Sequence, residues 1–150
     1  MTLGHLSLIE AVSKKYDRVT VAVMINDAKQ YVFDMDTRVK IAKATVAALP
    51  NVEVISDGGM LIDLFDRLGA DAVCKGYRNE RDLAYEQEMA EWNLAHNPRF
   101  YTELIPATGD YRTLSSTEVR EMLKNGEDLS FVVHRDAKRI IFDASDDGGV

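Results

Sequence analysis

Four short groups of residues have the types and positions to hold a phosphorylated ligand. Thr2 and His5 form T-x-G-H at the head of an apolar helical pattern, and Lys29 follows a β-branched run. Lys75 and Arg78 follow "DAVC", and R-T-L-S-S-T at 112–117 leads into another helical stretch. Hydroxyls, an imidazole and cations at helix starts suit a phosphate, because free N–H groups and the positive end of the helix dipole already favour an anion there. Singly, each has an ordinary reading. A histidine near a helix start is commonly a surface or capping residue, Lys29 a solvated loop lysine, and Ser115 and Ser116 a good N-cap. The joint occurrence is the signal.

These groups must be positioned by the elements around them. "HLSLIEAVSKKY" places Leu6, Ile9 and Val12 on one helical face, with Lys14 and Lys15 in the last turn. "RVTVAVMI" reads as a strand covered on both faces, and "DTRVKIAKATVAAL" as a helix stopped by Pro50 and Asn51. "VEVIS" is a strand, "GMLIDLFDRLG" a helix closed by Gly69, and "DAVCK" a third strand. "RDLAYEQEMAEWNLAHN" is a long amphipathic helix with Leu83, Met89 and Leu94 among its apolar positions, ended at Pro98. "FYTELIP" is a fourth strand, and "SSTEVREMLKNG" a helix with a capping box from Ser115 to Glu118 and a stop at Gly126. This alternation predicts a single α/β domain: a Rossmann-like doubly wound parallel sheet over residues 1–143, with 144–150 an acidic, glycine-rich tail without fixed structure. In such sheets ligands lie beyond the carboxyl ends of the strands, and every candidate above falls at a strand-to-helix junction on that edge.

Composition narrows the classes. The 150 residues carry a net charge of -7, so a general nucleic-acid or membrane-surface binder, which needs a basic face, is excluded. An anionic ligand must be held by a few placed cations. Cys74 is the single cysteine and sits in an apolar run, so it reads as a buried structural thiol in a reducing, cytoplasmic setting. No stretch reaches transmembrane length and the start lacks a signal peptide's pattern. His96 and His134 read as surface histidines, and Glu80, Glu88 and Glu91 as the wet face of the long helix. Asp143, Asp146 and Asp147 read as a solvated end, not a metal site.

"TLGH", "NDAK", "KGYRNERDLAYEQEMAEWN" and "LSSTEVR" together resemble the motifs of bacterial phosphopantetheine adenylyltransferase from Met1 to about Leu129. T-x-G-H and the S-S-T segment are shared by the wider nucleotidyltransferase superfamily; the block from Lys75 to Ala90 is the specific one. The resemblance implies transfer of the adenylyl group of ATP to 4′-phosphopantetheine, giving dephospho-coenzyme A and pyrophosphate. It implies that Thr2 and His5 bind phosphate, with His5 donating as charge builds at the α-phosphate, and that Lys29 binds phosphates of both reactants. Lys75, where the family more often has arginine, would hold the pantetheine phosphate as a point charge in place of a fork. Gly76, Tyr77, Arg78 and Glu86 would contact ATP, Tyr111, Arg112, Thr113, Leu114, Ser115, Ser116 and Thr117 would close over its phosphates, and Met60 and Leu61 would line the pantetheine arm. Mg²⁺ bridging the phosphates and a hexameric assembly are further expectations of the resemblance.

In the family, T-x-G-H follows a strand and a G-[ST]-F-D-P turn, and Met1 matches the position just after that proline. A central strand and its turn are therefore expected upstream of Met1, and the 150-residue chain alone is expected to be an incompetent enzyme with a gap in its sheet, a borrowed strand, or disorder near residues 1–10. Two other readings stand beside the main one: a sister nucleotidyltransferase acting on nicotinate mononucleotide or glycerol phosphate, and a non-catalytic nucleotide-binding remnant. The Lys75–Ala90 block speaks against the first of these.

Overall fold

A computed structural model describes residues 1–25, 33–107, 116–125 and 133–146. The chain is built as two compact units, one of Met1–Asp57 with Leu114–Val150 and one of Gly58–Thr113. In the first unit, α1 (Leu3–Lys15) starts at a Thr2 cap and buries Ile9 and Val12. β1 (Val19–Met24) pairs in parallel with β2 (Val52–Asp57), Val19 opposite Val52 and Met24 opposite Asp57. A parallel pair needs a crossover, and α2 (Met35–Val46) supplies it. Asp34 caps α2: its carboxylate accepts from the Thr37 N–H at 2.8 Å, and that bond chiefly holds its pKa below the ordinary 3.8. Thr45, fully buried on α2, donates its hydroxyl to the Ile41 carbonyl at 2.7 Å, so its burial leaves no unmet polar group.

The second unit repeats the plan. β3 (Val73–Tyr77) pairs in parallel with β4 (Thr102–Pro106), with Tyr77 opposite Pro106. Between them runs α4 (Glu80–His96), and before them α3 (Leu61–Leu68), which buries Leu64 and Phe65. Gly69 ends α3 at φ 63°, a left-handed conformation that penalises any Cβ. Phe65 and Phe100 form the centre of this unit, their ring centroids 4.7 Å apart and tilted by 41°.

The α/β alternation and parallel pairing follow the sequence reading, with several corrections. The strands form two two-stranded sheets, β1 with β2 and β3 with β4. β1 is half-buried at every position instead of covered on both faces. α2 stops at Val46, before the expected Leu49, because residues 47–50 turn into β2. β3 continues past Lys75 to Tyr77, so Gly76 and Tyr77 lie within the strand and not after it. Cys74 is half-buried there, not enclosed. α4 buries no residue, and Met89 and Leu94 on it are exposed.

The sequence pattern predicts no element between the stop at Gly126 and the tail, and the structure has one there. α5 (Ser116–Lys124) is followed by α6 (Arg135–Asp146), which packs along α2. Val133, Ala137 and Ile141 join Ile41 in one buried cluster, against which Met1, Phe33 and Met122 pack. α6 reaches Asp146 and so takes in residues 144–146 of the stretch expected as a tail.

Candidate nucleotide site

The T-x-G-H segment is a reciprocal helix cap. The Thr2 hydroxyl accepts from the His5 backbone N–H at 3.3 Å, and His5 Nδ1 accepts from the Thr2 backbone N–H at 3.1 Å. His5 thus takes the place that glutamate or glutamine holds in the usual capping box. One consequence is chemical. Because Nδ1 accepts a hydrogen bond, the neutral ring carries its proton on Nε2. Thr2 is 3% exposed while the His5 side chain is exposed, so the buried threonine aims a donor that faces solvent.

Two cations that the sequence reading did not single out lie at this helix start. Arg38 and Arg120 both stand close to Met1, next to the Thr2 cap. Arg38 also donates to the Met24 carbonyl at 3.0 Å, which ties α2 to the carboxyl end of β1. Arg120 stood in view as the last residue of the quoted "LSSTEVR"; Arg38 had no comparable signal.

In the second unit, Lys75, Gly76 and Tyr77 form the carboxyl half of β3, and Arg78 is the first residue beyond it. The Tyr77 carbonyl accepts from the Ala107 N–H at 2.8 Å, closing the strand end against β4. Asn79 caps α4, its side-chain oxygen accepting from the Asp82 N–H at 2.9 Å. Asp82 Oδ2 in turn accepts from Arg78 twice, from Nε at 2.9 Å and from the backbone N–H at 3.2 Å. The Arg78 side-chain bond is the main reason that the Asp82 carboxyl is held below its ordinary pKa of 3.8. Glu86, half-buried, follows Asp82 by one turn of α4. Met60 is the exposed residue before α3 and Leu61 its half-buried first residue.

The structure therefore brings Thr2 to His5, and gathers Lys75, Gly76, Tyr77 and Arg78 at one strand end. Lys29 and residues 111–115 lie outside the described residues, as do the side chains of Ser116 and Thr117, which are the first two residues of α5.

Residues 1–122 match the cytidylyltransferase-like family. Over 130 residues the chain is 38% identical to a phosphopantetheine adenylyltransferase of Limosilactobacillus reuteri, covering 87% of this chain and 75% of that protein. It is 38% identical to one of Cutibacterium acnes over 87% of this chain and 82% of that protein. The match to one of Methylococcus capsulatus is 36% over 133 residues, covering 89% and 82%. The chain belongs to the phosphopantetheine adenylyltransferase family. Within that family's pattern, the shared T-x-G-H sits on the first unit, as a cap. The family-specific block, Lys75–Ala90, makes up the end of β3 and the first eleven residues of α4 in the second.

Proposed function

We propose that this protein transfers the adenylyl group of ATP to 4′-phosphopantetheine, releasing pyrophosphate and forming dephospho-coenzyme A. The observation that carries the reading is the Lys75–Ala90 block at a strand end, where Arg78 stands between the carboxyl end of β3 and the N-terminus of α4. A phosphate oxygen of the acceptor attacks the α-phosphorus of ATP in line. The new P–O bond forms as the α–β bridging bond breaks, and its electron pair leaves on pyrophosphate. No covalent enzyme intermediate is needed, so the residues act by position and charge.

In this reading the Nε2–H of His5 donates to a non-bridging α-phosphate oxygen, a role supported by the tautomer that Thr2 imposes. Lys29 and Arg78 neutralise charge on the reacting phosphates, and Lys75 holds the acceptor's phosphate. Thr2, Gly76, Tyr77, Glu86 and residues 111–117 bind ATP; Met60 and Leu61 receive the pantetheine arm. Mg²⁺ would be carried by the substrate phosphates and supply charge neutralisation there.

Two further parts of the proposal are cytoplasmic location, supported by the chain's having one cysteine, Cys74, and a homo-oligomer, a hexamer by family resemblance. No helix among the described residues is long and apolar enough to cross a membrane. α4 supports assembly because it exposes Tyr85, Met89, Trp92 and Leu94. Pyrophosphate release with phosphopantetheine, compared with nicotinate mononucleotide and glycerol phosphate, tests the function; light scattering tests the assembly.

A further inference from the structure

We propose that Asp82 is a positioning residue for Arg78, setting the heading of its guanidinium for a phosphate of the nucleotide. The inference deepens the adenylyl-transfer reading and rests on it. Asp82 is anchored at both ends: its backbone N–H is taken by the Asn79 side chain at 2.9 Å, and its carboxylate takes the Arg78 Nε at 2.9 Å and N–H at 3.2 Å. One carboxylate oxygen thus binds the backbone and the side chain of the same arginine. Holding Nε fixes the plane of a guanidinium, whose five donors have a rigid fork geometry.

A purely structural account is weaker on two counts. An ion pair whose side chains are 36% and 29% exposed, four residues apart, adds little stability. The cap of α4 is already supplied by Asn79. Placed beside a phosphate-binding arginine, the carboxylate also subtracts positive charge, which is a disadvantage unless orientation repays it. Orientation is what a fork needs to meet a phosphate with two bonds, and small misplacements of a reacting group are expensive.

The test uses the protein expressed from its natural reading frame, with Asp82→Ala, Asp82→Asn, Arg78→Ala and the Asp82→Ala/Arg78→Ala pair. Three quantities are read: kcat/KM for ATP, the thermal midpoint, and hydrogen exchange at Arg78 Nε by nitrogen-15 NMR. Asp82→Ala is expected to lower kcat/KM by roughly tenfold or more, to speed Nε exchange, and to leave the midpoint within a few degrees. Asp82→Asn, which keeps an acceptor oxygen, is expected to fall between it and wild type, and serves if Asp82→Ala fails to fold. In the Arg78→Ala background the Asp82 change is expected to add nothing. Independent, multiplying losses, or faster exchange at Nε with an unchanged rate, would overturn the proposal. Failure of the wild-type protein to turn over ATP with phosphopantetheine would overturn the adenylyl-transfer reading instead; Nε exchange would then decide the holding role, with exchange indifferent to Asp82 refuting it.

Discussion

The backbone N–H of Thr2 points at His5 Nδ1 from 3.1 Å while the Thr2 hydroxyl takes the His5 N–H at 3.3 Å. The same two residues cap a helix and set which ring nitrogen holds the proton. Stability and chemistry can therefore be separated by substitution. Glutamine at position 5 can complete a capping box but has no imidazole. His5→Gln is expected to keep the thermal midpoint close to wild type while lowering kcat by roughly a hundredfold or more, the value of one lost transition-state donor. A variant with normal turnover would remove His5 from the chemistry.

Thr2→Ala removes the other half of the cap. It is expected to destabilise the fold by about 1 kcal/mol and to lower kcat as well, because the ring keeps the backbone N–H but loses the Thr2 hydroxyl 3.2 Å from Nδ1. Chemical unfolding with parallel rate measurements checks both. A loss of stability with full turnover would show that the cap does not serve the imidazole.

The C-terminal helix offers a prediction on packing. Ala137 is 0% exposed in the cluster with Ile41, Val133 and Ile141. Ala137→Leu forces extra methylenes into filled space and is expected to destabilise by about 1–3 kcal/mol. Ile141→Ala opens a cavity and is expected to remove about 2–5 kcal/mol. Urea unfolding that is insensitive to both would mean that α6 is not part of the core.

The contrast between α6 and the rest shows what the sequence could and could not reveal. Local signals placed the other elements: periodic apolar positions such as Ile9 and Val12, a stop at Gly69, β-branched runs at Val19 and Val52. Val133, Ala137 and Ile141 also recur every four residues, a helical spacing, but their burial depends on α2, nearly a hundred residues away. The burial of β1 differs for a related reason: its composition suits a strand covered on both faces, and what covers a face is set by elements distant in sequence. At the site, residue types marked Thr2, His5, Lys75 and Arg78. The reciprocal bonds were partly legible, since T-x-x-H is one residue type away from a capping box. Asp82 was overlooked. Its spacing of four from Arg78 was visible, but only the geometry shows one oxygen serving two donors of the same residue.

A small acid-dependent contribution to stability follows from Asp82. Its folded-state pKa lies below the ordinary 3.8, so its contribution to stability is fully present above that value and is lost as the pH falls through the lower, folded value. Asp34 has the same sign through its cap to Thr37. The stability difference between wild type and Asp82→Asn is expected to be constant at neutral pH and to close below pH 3.8. Thermal unfolding of both proteins across the acid range checks this. A difference that stays constant down to the acid limit would contradict a bond to the ionised carboxylate.

In the proposed reading the acceptor's phosphate is held by Lys75, half-buried near the end of β3. Lys75→Ala is expected to raise KM for phosphopantetheine by tenfold or more, about the value of one charged hydrogen bond, with ATP affinity little changed. Lys75→Arg is expected to retain activity, since a fork satisfies the same phosphate. Initial-rate kinetics with each substrate varied in turn separates these outcomes, and a rise confined to ATP would reassign the residue.

The central claim is the reaction itself. The most direct measurement is pyrophosphate release by the protein expressed from its natural reading frame, with ATP and each acceptor in turn and the nucleotide product identified by mass. Release with 4′-phosphopantetheine, accompanied by dephospho-coenzyme A and absent with nicotinate mononucleotide or glycerol phosphate, is the predicted result. Release with one of the other acceptors, or with none while the folded protein still binds ATP, would contradict it.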